Sequence, residues 1–160
     1  MNKNIFYKIK VPNGRGDITS IKYGSKKINF VDESYNANPL SVESAIKNLD
    51  AINHSTGKKN VILGDMLELG KHSKKLHEKL ANIINSSKID NIYVYGKNIK
   101  HTFKKITSKK RRLILNNKKE IINLIKNDIN NNDYLMIKGS NSTGLNKLSR
   151  NLKKGNFYAL

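Results

Sequence analysis

The stretch INFVDESYNANPLSVESAI, residues 28–46, passes from strand to helix within a few residues, and that passage decides the fold. Its first part, inside KINFV (27–31), is a short apolar run of the kind that fits a pleated, buried surface. Further on, Val42, Ala45, Ile46 and Leu49 recur at i, i+3, i+4 and i+7, the spacing of one helix face. Asn38 before Pro39 marks the helix start, because an asparagine oxygen can accept from a free first-turn N–H and proline needs no N–H there. Between strand and helix stand adjacent carboxylates, Asp32 and Glu33, in a chain with only 12 acidic residues. Two negative charges side by side at a strand end need a chemical reason.

The same alternation continues along the chain. Short apolar runs occur at NVIL (60–63), NIYVY (91–95), RLIL (112–115) and YLMI (134–137). Helical spacing separates them: Leu76, Leu80, Ile83 and Ile84, then a weaker segment at 97–106, then 117–129 and 145–154. Strands alternating with helices imply βαβ units, hence a doubly wound α/β domain with a mostly parallel sheet and helices on both faces. DITSIKYGSKKINFVD (17–32) differs, with two strands around YGSKK, and predicts a hairpin at the N-terminal edge.

At 160 residues the chain is one domain large enough to bury a core without disulfides, and it has no cysteine, which fits a reducing compartment. No apolar run approaches a membrane span and the N-terminus is not a secretory signal, so the expectation is a soluble cytoplasmic protein with no membrane partner. The formal charge of +19 draws attention to nucleic acid. Lysine carries nearly all of it, however, beside an excess of asparagine and isoleucine, the bias that an AT-rich genome imposes. The basic residues are spread out, with SKKRR (108–112) the one dense run and Phe103 the one aromatic near it.

Three polar loops each follow a strand: DESYNANP, GDMLELG and KGSNSTG. In an open parallel sheet they must lie along one edge, where ligands bind. The first offers Glu33, Tyr35 and Asn36 beyond what a helix cap needs. The second holds Asp65 and Glu68 among apolar residues that fold it back on the domain; a loop with solvated acids reads the same way. The third sets Lys138 and the amides of Gly139 and Ser140 ahead of a helix near Leu145, an anion site or a simple capping loop. NGRGDI (13–18) places Arg15 between glycines, where it could reach a phosphate. No G-x-x-x-x-G-K-[ST] loop, complete G-x-G-x-x-G, G-x-S-x-G elbow or zinc-spaced histidine set occurs, so no metal site is expected in this chain alone.

Taken in order, GRG, VDESYNANPLSVESAI, VILGDMLELGKHSKKLHEKL and YLMIKGSNSTGL resemble the C-terminal domain of Mur ligases, over about residues 12–155, with 1–11 a remnant linker or extension and 156–160 a tail. Within the family the resemblance is to members that add D-alanyl-D-alanine to UDP-N-acetylmuramoyl-tripeptide. It implies a Rossmann-like fold that closes over ATP in a cytoplasmic step of peptidoglycan synthesis. A central domain would hold ATP and Mg2+, an acyl phosphate would form, and an incoming amine would attack it. By that pattern Arg15, Glu33, Tyr35 and Asn36 serve the nucleotide, and Asp65, Glu68, Lys138 and Ser140 face the cleft where the dipeptide amine arrives.

The family pattern usually has aspartate at Glu33, and often arginine at Asn141. The uridine-sugar-binding domain and the phosphate-loop domain are not in this sequence. The chain is therefore expected to be inactive alone and to work with a separate chain that carries them. Two other readings stand beside this one: a basic Rossmann-like module for RNA or DNA, and a non-functional gene fragment.

Overall fold

The structure is a computed structural model that describes residues 16–158. Strands β1 (Asp17–Tyr23) and β2 (Lys26–Glu33) form the expected antiparallel hairpin, closed by a turn in which Gly24 has φ +58°. Then follow α1 (Pro39–Ala51), β3 (Lys59–Gly64), α2 (Ser73–Ser86), β4 (Asn91–Tyr95), α3 (Lys100–Lys105), β5 (Arg111–Leu115), α4 (Lys118–Asn127), β6 (Tyr134–Lys138) and α5 (Leu145–Lys153). The sheet order is β1-β2-β6-β3-β4-β5, with every pair after the first parallel.

Side-chain alternation along the strands divides the core between two faces. Val31, Val61, Leu63, Val94 and Met136 pack with Val42, Ile46 and Leu49 of α1 and Leu80 and Ile84 of α2. Phe30, Ile62, Leu135 and Ile137 pack with Ile121 and Ile125 of α4 and Leu145, Leu148 and Leu152 of α5. Central strand β3 is buried along its whole length, which is why it reads as a continuous apolar run rather than an alternating one.

Helix α1 begins as its sequence implies. The Asn38 side chain accepts from Ser41 N, the Ser41 hydroxyl answers to the Asn38 N–H, and Pro39 takes the first helical position. Helix α2 buries His77, Leu80, Ala81 and Ile84, so its inward stripe runs through His77 rather than Leu76. Phe157, in the segment expected to be a tail, is buried against Tyr23, with ring centroids 5.1 Å apart, and extends the second core.

Insertion of β6 between β2 and β3 positions the site. The chain leaves β2 and β3 toward the α1/α2 face but leaves β6 toward the α5 face. The carboxyl ends of these three neighbours thus form a topological switch, where a crevice opens outside the sheet.

Candidate functional site at the switch of the sheet

The ends of β3 and β6 come together through two glycines. A Cβ on Gly64 would lie 3.2 Å from Gly139 Cα and 2.6 Å from Leu145 Cδ1; one on Gly139 would lie 3.1 Å from Gly64 Cα and 2.7 Å from the same methyl. Neither position has room for a side chain. This approach lets Ser140 join all three strand-end loops. Its N–H donates to Asp65 O (3.0 Å), its hydroxyl accepts from Leu67 N (2.9 Å), and the hydroxyl donates to Ala37 O (3.2 Å).

The adjacent carboxylates of β2 have separate tasks because neighbours on a strand face opposite ways. Asp32 is 1% exposed and takes an ion pair from Lys153 of α5 at 2.6 Å, together with the N–H and hydroxyl of Ser34. It is an anchor between helix and sheet. Glu33 turns toward the crevice and meets Lys138, 3.7 Å away. Burial pushes the Glu33 carboxyl above its usual range, against the pull of Lys138, and burial lowers the Lys138 ammonium, against the pull of Glu33.

Lys138 is itself 3% exposed, and its ammonium donates to Asn36 O at 2.6 Å and Glu33 O at 3.3 Å. The Lys138 ammonium and the Ser140 N–H, read from sequence as anion donors, are already engaged in holding loops together. Lys138 also lies with Glu33, on the tyrosine side of the crevice rather than with the acids of the second loop.

Asp65 likewise faces inward. Its carboxylate accepts from Ile99 N (2.7 Å) and Lys97 N (3.1 Å) and packs so closely on Gly96 that a Cβ there would sit 2.6 Å from Asp65 Cγ. It shapes the loop after β4. The following residue is held by a group that sequence reading passed over. His77, fully buried, accepts from Met66 N at 3.1 Å through Nε2, while Nδ1 donates to Ser73 O at 2.8 Å. Burial keeps this imidazole neutral by lowering its pKa, only partly offset by the Ser73 carbonyl and Asp65. Its signal in the sequence was its register: 77, 80, 81 and 84 follow the helical spacing. Glu68 remains exposed, at a backbone φ of +64° that non-glycine residues seldom adopt.

These loops enclose three neighbouring cavities in a row. The tyrosine-side cavity, about 470 Å³, is lined by Glu33, Tyr35, Asn36, Asn38, Leu40 and Lys138, among others. The central one, about 580 Å³, shares Tyr35 and Asn36 with it and adds Leu67, Glu68, Ser140 and Ser142. The third, about 400 Å³, shares Leu67 and Ser142 with the central one and reaches Asp65, Lys97 and Lys100. Seven of the sequence-derived site residues, Glu33, Tyr35, Asn36, Asp65, Glu68, Lys138 and Ser140, therefore border one trough. Arg15 lies outside the described residues.

Among the described residues no group of three or more His, Asp or Glu side chains is placed to hold a metal, and no helix is long and apolar enough to cross a membrane. Phe103 is partly buried against the core, with Arg111 over its ring at 5.8 Å.

A mostly parallel six-stranded sheet with helices on both faces and a trough at its switch point defines a Rossmann-like domain. A family model described as "Mur ligase, glutamate ligase domain" matches residues 15–141, and the chain belongs to that family. It is similar to the UDP-N-acetylmuramoyl-tripeptide--D-alanyl-D-alanine ligase of Bacillus subtilis, 30% identical over 128 residues, covering 78% of this chain and 28% of that protein. The ligase of the same name from Buchnera aphidicola subsp. Acyrthosiphon pisum is 34% identical over 127 residues, covering 78% and 27%. Among solved structures, MurF from Acinetobacter baumannii superimposes with a TM-score of 0.70 at 26% identity, over 91% of this chain and 31% of that one. MurF ligase from Thermotoga maritima gives 0.74 at 24% identity, over 93% and 32%, which shows the shared fold. The chain thus spans less than a third of the length of these relatives.

Proposed function

We propose that the chain is the cleft-closing domain of a cytoplasmic ATP-dependent ligase that joins D-alanyl-D-alanine to UDP-N-acetylmuramoyl-tripeptide in peptidoglycan precursor synthesis. The observation that carries this reading is the trough itself: three loops with distinct chemistry, tied by Ser140, along one edge of the sheet. The naming of the curated relatives and the ADP in the Thermotoga ligase support it.

The nucleotide is assigned to the tyrosine side. Tyr35 is 45% exposed and Leu40 74% exposed around the same cavity as Asn36 and Asn38, a combination suited to a flat base and hydroxyl-bearing sugar. Glu33, braced by Lys138, supplies a carboxylate for ribose hydroxyls, and Arg15 is assigned to the phosphates. Mg2+ is assigned, with most of the ATP, to the central ligase domain, as the family resemblance implies.

Glu68 faces the amine side, and Asp65, Lys138 and Ser140 hold the loops around it. The domain's part in amide formation is then positioning and the exclusion of water: it fixes one wall of the cleft, while the N-terminal and central ligase domains, on this polypeptide or another, complete it.

The test is a titration of 15N-labelled chain with ADP. Movement of the Glu33, Tyr35 and Asn36 amide signals, weakened in Tyr35→Ala, is the expected result; signals unmoved at millimolar ADP overturn the assignment. The 160-residue chain alone is expected to turn over neither ATP nor D-alanyl-D-alanine.

A further inference from the structure

Strand β5 is the last of the sheet and pairs with β4 on one side, so its outer N–H and C=O groups meet no strand among the described residues. Such an edge is a template for another strand unless charge or a cover blunts it. Here the charge is confined to one end, Arg111 and Arg112, and the rest is apolar. Leu113 is 53% and Ile114 37% exposed, the one adjacent pair among the exposed large apolar residues described. The opposite edge, β1, exposes a single one, Ile18.

Beside this edge a groove of about 310 Å³ runs between β5 and α4. Leu113, Ile114, Leu115 and Leu124 line it, and its charged groups are Glu120 and Asp128, with no cation among them. Two carboxylates at an apolar groove, on a chain of formal charge +19, suit an occupant that is cationic and apolar. Strand β5 has that composition itself. SKKRR (108–112), the one dense basic run, leads directly into Leu113 and Ile114. Its basic and acidic ends are separate: Glu120 accepts from Asn116 N at 2.8 Å, which holds its carboxylate just past Leu115. Arg112 Nε donates to Asn91 Oδ1 at 2.7 Å, and Asn91 shares the α4 face with Tyr93, two residues on, so the guanidinium lies on the face of the groove.

We propose that the β5 edge is a self-association surface, on which two copies of this chain pair β5 with β5 antiparallel and Arg112 of each reaches Glu120 of the other. A two-fold axis at Leu113 sets Leu113 opposite Leu113 and Arg112 opposite Ile114, beside the end that Glu120 occupies. The axis stands perpendicular to the sheet, so both α4 helices stay on one face and the two apolar grooves join. Each ion pair forms twice, as a self-complementary contact requires. The strand is short, so the interface is small and the association weak. This surface does not depend on the ligase reading, because the nucleotide is assigned beside β2, on the far side of β6, β3 and β4.

The test is sedimentation equilibrium of the 160-residue chain at low salt, from about 10 μM to about 1 mM. The mass is expected to rise toward twofold, with a midpoint on the order of 100 μM. The Leu113 and Leu115 amide signals should shift with concentration while those of Tyr35 and Asn36 stay. Leu113→Asp sets like charges across the axis and should hold the mass at one chain; Leu113 is exposed, so its circular dichroism should match the parent. Arg112→Glu and Glu120→Arg should each weaken association about tenfold, and Arg112→Glu/Glu120→Arg should restore it. A mass of one chain throughout, association that survives Leu113→Asp, or a combined variant no stronger than the single ones overturns the pairing. ADP shifts at Tyr35 and Asn36 in a chain that stays monomeric remove the pairing and leave the ligase reading; a dimer without those shifts does the reverse.

Discussion

Ser140 Oγ accepts the Leu67 N–H at 2.9 Å and donates to the Ala37 carbonyl at 3.2 Å, so one hydroxyl holds the tyrosine loop and the acid loop in register. Ser140→Ala removes both bonds inside a buried site. It is expected to cost about 1–3 kcal/mol, the penalty of leaving a buried polar group unsatisfied. Urea unfolding measures the loss. Hydrogen exchange should show Leu67 N–H among the most accelerated amides; unchanged protection there contradicts the tie.

The Gly64–Gly139 approach makes a steric prediction. Gly139→Ala brings a methyl to 3.1 Å from backbone and 2.7 Å from Leu145 Cδ1, and overpacking of this kind costs about 1–3 kcal/mol. Leu145→Ala removes one of the two clashes, so the Gly139→Ala penalty should be smaller in that background. A double-mutant cycle with no coupling would show that Leu145 is not the obstacle.

His77 gives stability a pH dependence. Burial lowers its pKa, so the unfolded chain takes up the proton first as pH falls. The contribution is complete above the ordinary value of 6.5 and declines below it, until the folded-state imidazole also protonates and Met66 N loses its acceptor. His77→Gln keeps an acceptor at similar reach without a titrating ring. Its unfolding free energy should therefore show a flatter profile just below pH 6.5; an identical slope in both proteins rules His77 out as the source.

Lys153 and Asp32 make the opposite pH signature. Burial alone would lower the Lys153 pKa, but its bonds to Asp32 and Asp17 outweigh that and raise it above 10.5. Stability from this pair is complete below 10.5 and is lost as pH rises through the raised value. Lys153→Met leaves the Asp32 carboxylate buried without its cation and should cost about 3–5 kcal/mol, and Asp32→Asn/Lys153→Met should recover much of it. Equal stability of the single and double variants would show that the charge is not the cause.

The sequence by itself determined the fold class, the hairpin, the order of elements and the capped start of α1, because period-2 and period-3.6 patterns and the Asn38-Pro39 signal are local. It also determined that the three loops share an edge, since parallel strands must end on the same side. Only the tertiary structure decided that β6 enters between β2 and β3, because strand order in space depends on which faces the crossovers cover and not on chain order. The same holds for the direction of each charge. Lys138, Asp65 and Asp32 read as ligand-facing groups or free acids, yet all three turn inward onto backbone or a distant lysine. A buried charge takes the partners that the packed chain brings to it, and those partners lie on elements remote in sequence.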